Sequence, residues 1–125
     1  MSVWLNDKTK VIVQGMTGRE GTFHTSNMIK YGTNVVAGVT PGKGGESHLG
    51  LPVFDNCSNA VKDTGATASV IFVPARFCLA AVKDAVESGV KFLVVITEGI
   101  PLHDEIKIGA LVRREGVIMV GPNCP

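Results

Sequence analysis

The sequence predicts a doubly wound α/β domain, in which about five parallel strands form one sheet with helices on both faces. Two observations predict this class: short runs rich in Val and Ile recur along the 125 residues, and segments with helical spacing separate them. Strands that alternate with helices imply right-handed crossovers and therefore a parallel sheet. The length suits one domain, and the 45% of hydrophobic residues suffices for its core.

The predicted strands are apolar runs that are continuous instead of alternating, as expected of strands buried on both faces. They cover residues 11–13, 35–39, 68–73, 92–96 and 117–120. Each run is too short for a helix that is buried on all sides. The Rossmann-like arrangement suggests a strand order of 3-2-1-4-5 and a ligand site beyond the carboxyl ends of the strands.

Four helices are predicted between these strands, and each is closed by a glycine at or just beyond its end. They cover residues 20–31, 58–64, 75–88 and 102–115. In the third helix, one apolar stripe consists of Cys78, Ala81, Val82, Ala85 and Val86. In the fourth helix, we expect Ile106, Ala110 and Leu111 to face inward.

Charge and cysteine content exclude several classes of function. Twelve basic residues against 11 acidic ones give neither the surplus of a duplex-coating protein nor the basic cluster of an anionic-membrane binder. The three cysteines show no CxxC spacing, and the first residues lack the pattern of a secretory or transit signal. We therefore expect a cytoplasmic protein with reduced thiols, no nucleic-acid or membrane partner, and a small ligand or another protein as partner.

The turn after the first strand carries glycines at a spacing of three residues, at positions 15, 18 and 21. Without side chains, the backbone can approach a ligand, and the free N–H groups of the following helix point at it. This pattern predicts a phosphate cradle, although a tight strand-to-helix turn that merely needs glycine is the alternative. The turn is not a P-loop, because no Gly-Lys-Ser/Thr follows.

The end of the second strand bears on the type of cofactor. An NAD site places an acid there to bind the ribose, but residues 39–45 contain none before Glu46. Lys43 lies among glycines and suits a ligand with an additional phosphate, whereas a solvated loop lysine is the alternative.

Other polar residues at the strand ends leave their roles open. Glu98 can accept hydrogen bonds from a ribose or an amine, or cap the following helix. The three histidines (His24, His48 and His103) have neither metal-ligand spacing nor a nucleophile partner, so we expect them to be structural or solvated. No metal site and no catalytic residue are predicted.

The glycine-rich motifs together carry a resemblance that runs along the whole chain. They are GMTG (15–18), GTFH (21–24), YGT (31–33), GVTPGKGG (38–45), HLGLPV (48–53), ITEGIP (96–101) and GPNCP (121–125). With these motifs the chain resembles the N-terminal, CoA-binding domain of the succinyl-CoA synthetase α subunit, which implies coenzyme A as its ligand.

The resemblance assigns contacts to individual residues. The CoA-binding residues it implies are Thr17, Gly18, Arg19, Glu20, Lys43, Ile96, Thr97 and Glu98. The loop that approaches the phosphate and thioester end is matched by Pro122, Asn123 and Cys124. Many members of the family carry Gln at the position of Glu20. Because a carboxylate would repel phosphates there, we assign that contact to backbone N–H groups.

The resemblance also implies an enzyme, a ligase of the tricarboxylic acid cycle that interconverts succinate, CoA and NTP with succinyl-CoA, NDP and phosphate. In that family a histidine of a second α-subunit domain carries the phosphoryl group, and the nucleotide and Mg belong to the complete enzyme with its β subunit. None of the three histidines matches that motif. We therefore expect residues 1–125 to be a truncated CoA-binding domain that does not turn over alone.

Two alternatives from other classes remain. One is an NAD(P)-binding Rossmann domain of an oxidoreductase, which the missing acid after the second strand argues against. The other is a stand-alone CoA-sensing module. Related enzymes such as malate–CoA ligase or ATP-citrate lyase share the CoA end, so the identity of the acid and the choice of ATP or GTP stay open.

Overall fold

A computed structural model describes residues 8–121 of the chain. Within this range the strands are β1 (Val11–Gln14), β2 (Val35–Val39), β3 (Ser47–His48), β4 (Leu51–Phe54), β5 (Ala68–Ile71), β6 (Phe92–Val95) and β7 (Ile118–Val120). The α-helices are α1 (Arg19–Lys30), α2 (Cys57–Thr64), α3 (Cys78–Glu87) and α4 (Leu102–Glu115). A 3₁₀ turn, Ala75–Phe77, leads into α3.

The strands form one sheet in the order β3-β4-β2-β1-β5-β6-β7. Every neighbouring pair is parallel except β3 and β4, which form an antiparallel hairpin. The predicted Rossmann-like α/β class is therefore confirmed. The predicted strand order was wrong at one position. It placed the third predicted strand, β5, next to β2, but β5 lies on the other side of β1, and the neighbour of β2 is β4.

The β3–β4 hairpin was missed because its strands are short and because Pro52, which donates no backbone hydrogen bond, lies inside β4. Proline is tolerated at this position because β4 pairs with β2 only through Val53 and Phe54, and Pro52 faces the two-residue edge strand β3. Counting β4 as the third strand gives the parallel order 3-2-1-4-5-6.

Helices cover both faces of the sheet. Three helices, α2, α3 and α4, pack on one face, where Cys57, Val82 and Ile108 are buried against strand residues such as Ile12 and Leu93. On the other face, a second cluster packs Met28 of α1 against Val13, Val35 and Val53, with Met16 of the turn after β1. Residues next to each other along β1, such as Ile12 and Val13, thus point to opposite faces. Within residues 8–121, no helix is both long and apolar enough to cross a membrane.

The apolar stripe of α4 was predicted correctly only at Leu111, which is half-buried and packs against the core. Ile106 is 60% exposed and Ala110 is exposed, whereas Ile108 and Val112 are the buried residues of this helix. Apolar residues occur on more than one side of this helix, so spacing alone did not identify the buried one. In α3, by contrast, Cys78, Val82 and Ala85 are buried as predicted.

Candidate functional site

The candidate site lies where β1 meets its two parallel neighbours, β2 and β5, at the carboxyl edge of the sheet. The connection after β1 leads to one side of that strand, and the chain later returns to the other side. Such a reversal leaves a crevice between the loops that follow the strands, which is where open α/β sheets bind ligands. Two loops border the crevice: the first glycine loop, residues 15–21, and the second glycine loop, residues 40–46.

The first glycine loop is folded tightly against its own backbone. Gly15 has a φ of 85° and its N–H donates to Val39 O of the adjacent strand at 2.9 Å. A Cβ at Gly21 would overlap the carbonyl group of Gly15, so only glycine fits there. The close packing brings the first turn of α1 directly onto the end of β1.

This arrangement leaves donors open at the start of α1. The helix begins after Gly18, which has no side chain to cap it. Along the helix, the first N–H group with an acceptor is that of Thr22, which donates to Gly18 O at 2.8 Å. Among the described residues, the N–H groups of Arg19, Glu20 and Gly21 have no hydrogen-bond acceptor. Three free donors at the positive end of a helix favour an anionic ligand.

A pocket of about 530 Å³ opens at these donors. It joins the start of α1 to the ends of β5 and β6, and its lining includes Gly18, Arg19, Glu20, Ile96, Thr97 and Glu98. Six predicted site residues therefore lie around one pocket. Thr97 is buried and donates to Val73 O at 2.8 Å, so its hydroxyl fixes the ends of β5 and β6 to each other.

An apolar chamber of about 630 Å³ lies on the other side of the first glycine loop. Its lining includes Thr17, Thr40, Pro41, Val73, Pro74, Phe77, Ala80 and Ala81. Of these, the sequence predicted only Thr17 as a ligand contact. The chamber walls come from four separate segments and show no motif. Phe77 lies at the carboxyl edge of the sheet because the 3₁₀ turn that contains it follows β5 directly, and this is the one signal that could have identified it.

The wall between the chamber and the sheet is held by a buried amide. Gln14 is 2% exposed; its Nε2 donates to Ala81 O at 2.8 Å, and its Oε1 accepts from Ser69 Oγ at 2.7 Å. These bonds join β1, β5 and α3, and they satisfy a polar side chain that burial would otherwise destabilise. The crevice is thus pre-formed by the fold.

The second glycine loop has no open donor between residues 42 and 46. Gly42 N and Gly44 N both donate to Asp55 Oδ1, at 2.8 and 2.9 Å. The remaining three N–H groups donate to backbone carbonyls: Lys43 N to Thr40 O, Gly45 N to Val53 O and Glu46 N to Lys43 O. Lys43 itself is exposed and lines neither pocket.

One side-chain contact joins the two loops, and a second joins α1 to β3 just beyond them. Thr17 Oγ1 and Thr40 Oγ1 are 3.0 Å apart, and Thr22 Oγ1 lies 2.8 Å from His48 Nε2. Because the Thr22 hydroxyl donates its proton to Met16 O at 3.0 Å, it accepts from His48, which places a proton on Nε2. His48 is structural, as predicted, and it holds the β3–β4 hairpin to α1.

Glu98 is exposed and lines the 530 Å³ pocket, but it does not cap α4, which begins after Pro101 without a side-chain cap. Of its predicted alternatives, helix capping is therefore excluded. Pro122, Asn123 and Cys124 lie outside the described residues, and their role remains a prediction.

Both cysteines of the described region are buried, free thiols. Burial, reinforced by the nearby Asp84 carboxylate, raises the pKa of Cys57 far above its ordinary value of 9.0. Burial likewise raises the pKa of Cys78 above its ordinary value. Neutral thiols are poor nucleophiles, so these cysteines serve packing. No group of His, Cys, Asp and Glu within residues 8–121 is arranged to hold a metal ion.

An open parallel sheet with free helix donors and an apolar chamber at its topological switch point defines a nucleotide-type ligand-binding domain. The family profile described as "CoA binding domain" matches residues 6–99, which is most of the chain. The chain therefore belongs to the CoA-binding domain family.

Relatives cover the whole of the chain but extend well beyond it. The chain is 54% identical over 125 residues to "succinate–CoA ligase (ADP-forming) subunit alpha 2" of Archaeoglobus fulgidus, covering 100% of this chain and 44% of that protein. It is 47% identical over 128 residues to "malate–CoA ligase subunit alpha" of Methylorubrum extorquens, covering 99% of this chain and 43% of that protein. The chain thus spans less than half the length of these curated relatives.

Solved structures share the fold. The apo form of the dinucleotide forming acetyl-coenzyme A synthetase 1 of Ca. Korarchaeum cryptofilum matches with a TM-score of 0.80 and 25% identity. The match covers 93% of this chain and 26% of that one. The resemblance to CoA-ligase α subunits stated from the motifs is confirmed by these similarities.

Proposed function

We propose that the chain binds coenzyme A at the carboxyl edge of its sheet, as the CoA-binding part of a succinate–CoA ligase α subunit. The observation that carries the proposal is the trio of open N–H groups at Arg19, Glu20 and Gly21, which line the 530 Å³ pocket next to the apolar chamber. Coenzyme A combines a diphosphate, an adenine ring and a further phosphate. Each of these groups has a complementary partner at this edge.

Each part of the ligand is assigned by chemistry. The diphosphate meets the free donors of α1, where backbone N–H groups offset the negative charge of Glu20 nearby. We assign the adenine ring to the 630 Å³ apolar chamber. The additional phosphate is assigned to the exposed Lys43 ammonium, because the second glycine loop that carries it also contributes Thr40 and Pro41 to the chamber wall. The pantetheine arm then crosses Ile96, Thr97 and Glu98 toward residues 122–124.

An NAD(P)-binding domain fits these residues less well. An NAD site places a free carboxylate after the second strand to bind the ribose hydroxyls, and an NADP site places a basic residue there for the 2′-phosphate, so the missing acid argues against NAD in particular. Here Thr40 and Pro41 follow β2, and the nearby Asp55 carboxylate already accepts hydrogen bonds from Gly42 and Gly44.

The wider activity follows from the relatives and is part of the proposal. The complete enzyme would interconvert succinate, CoA and NTP with succinyl-CoA, NDP and phosphate, using Mg, a nucleotide site and a β subunit outside this chain, in the cytoplasm. Similar identities to a succinate ligase and a malate ligase indicate that this domain is common to both. Selection of the acid is therefore assigned to other parts of the enzyme.

Calorimetric titration with CoA, dephospho-CoA and NADH tests the proposal. The chain should bind CoA, ignore NADH and bind dephospho-CoA more weakly. Lys43→Ala should weaken CoA binding about tenfold, since it loses a charge-assisted phosphate contact, while leaving dephospho-CoA binding unchanged. Lys30→Ala is the matched control, because this exposed lysine lies at the opposite end of α1. Tight NADH binding without CoA binding would refute the proposal.

A further inference from the structure

We propose that Asp55 is a positioning residue for Lys43, and that its Oδ1 atom shapes the second glycine loop before any ligand arrives. This inference rests on the proposed function for the role of Lys43. Asp55 Oδ1 accepts the N–H groups of Gly42 and Gly44, the two residues that flank Lys43 in the chain. One oxygen atom thereby fixes the backbone on both sides of the lysine.

The sequence of the loop is fitted to this carboxylate. A Cβ added at Gly44 would lie 2.5 Å from Asp55 Oδ2, so a side chain there would displace the aspartate. Gly42 has a φ of 85°, a conformation that glycine adopts without strain. These two glycines are therefore required by the contact with Asp55 and by the turn, not by the approach of a ligand.

The contact also determines how the loop recognises phosphate. All five N–H groups of residues 42–46 have acceptors within the protein, so none is free for a ligand. Within residues 42–46, recognition of the additional phosphate is then left to the Lys43 side chain, because no backbone N–H is available. A loop without Asp55 would have two unpaired amides and more backbone freedom, and binding would have to order it.

The carboxylate has one electrostatic disadvantage, because it places a negative charge close to a phosphate site. What the loop uses is an acceptor oxygen, which an amide also provides. Asp55→Asn therefore keeps the hydrogen bonds and removes the charge, whereas Asp55→Ala removes both. Loss of the acceptor should not unfold α2, since the neighbouring Asn56 caps that helix through Oδ1, at 2.8 Å from Asn59 N.

The binding test compares the unaltered chain with Asp55→Ala, Asp55→Asn and the control Asp63→Ala, an exposed aspartate on α2. Asp55→Ala should bind CoA about fivefold more weakly, with less than a twofold change for dephospho-CoA. Asp55→Asn and Asp63→Ala should match the unaltered chain or bind slightly more tightly. In a Lys43→Ala background, Asp55→Ala should cause no further loss, since both changes act on one contact.

The ratio of the CoA and dephospho-CoA affinities separates positioning from general damage, because partial unfolding weakens both ligands equally. Equal weakening of both ligands in Asp55→Ala, or no weakening of either, would overturn the proposal.

Amide hydrogen exchange at Gly42 and Gly44 gives a second measurement that needs no ligand: protection should persist in Asp55→Asn and disappear in Asp55→Ala. If exchange changes as expected but the unaltered chain binds no CoA, the proposed function is refuted, whereas the hydrogen bonds from Gly42 and Gly44 to Asp55 are confirmed. Unchanged exchange in Asp55→Ala overturns the contact itself.

Discussion

Both loops of the site are rich in glycine, but they need glycine for different reasons. In the first glycine loop, the neighbouring backbone leaves no room for a side chain at Gly21. In the second glycine loop, nothing lies within 4 Å of a Cβ at Gly42 or Gly45, and positive φ angles of 85° and 91° are what exclude other residues. Packing against backbone therefore excludes a side chain at Gly21, whereas backbone conformation excludes one at Gly42 and Gly45; in the second loop only Gly44 is limited by packing, against the Asp55 side chain.

The loops also differ in what they offer to a ligand. The first leaves three N–H groups at the start of α1 without an acceptor among the described residues, whereas the second pairs each N–H from residue 42 to 46. The first loop therefore offers backbone donors, and its shape is inseparable from the fold. The second loop is a folded support for one charged side chain. Substitutions in the two loops should accordingly have separable effects on stability and affinity.

The largest effect is expected for Gly21→Ala. The added methyl group overlaps the Gly15 carbonyl, so β1 and α1 must separate, and we expect a loss of about 3 kcal/mol in the free energy of unfolding. Gly18→Ala is the control in the same loop: its Cβ would lie 3.6 Å from Gly15 O, an ordinary contact, and should cost less than about 1 kcal/mol. Urea denaturation measures both. Equal losses would show that packing does not explain the first loop.

An intermediate effect is expected for Gly42→Ala, which has space but the wrong backbone conformation. We expect a loss of about 1–2 kcal/mol in unfolding free energy, and weaker binding of CoA with little change for dephospho-CoA. Gly32→Ala is the matched control, because Gly32 has a φ of 91° and open space at the far end of α1. It should lose similar stability and keep the CoA affinity. A loss of CoA affinity in Gly32→Ala would contradict the separation of the two effects.

The difference between the loops also explains what the sequence predicted. Glycines after the first strand mark the cradle because the signal is local: strand, turn and helix follow one another along the chain. The meeting of residues 18–20 with residues 96–98 was predictable as well, because carboxyl ends of parallel strands share one edge. Asp55 was missed because it lies 13 and 11 residues from its partners Gly42 and Gly44 and follows a strand that itself was not predicted.

The missed β3–β4 hairpin and the misassigned face of α4 also arose because tertiary contacts cannot be read from local pattern. The strands of the β3–β4 hairpin are only two and four residues long, and Pro52 interrupts the apolar residues of β4, so no strand was predicted there. In α4, Ile106 and Ile108 are equally apolar, and only packing against the sheet selects Ile108. Local pattern therefore predicts which segments are helices and strands, whereas tertiary contacts decide which side is buried and which carboxylate supports a loop.

The smallest effect tests whether the loops are independent. Thr17 and Thr40 share a hydrogen bond of 3.0 Å between their hydroxyl groups, and each belongs to a different loop. Valine replaces threonine with nearly the same shape, so Thr17→Val, Thr40→Val and the double variant form a double-mutant cycle. We expect a coupling energy of about 0.5–1 kcal/mol by urea denaturation, because the pair is only partly buried and water replaces part of the lost bond. Additive losses would mean that the two loops do not support each other, and that the second glycine loop depends on Asp55 and its backbone contacts alone.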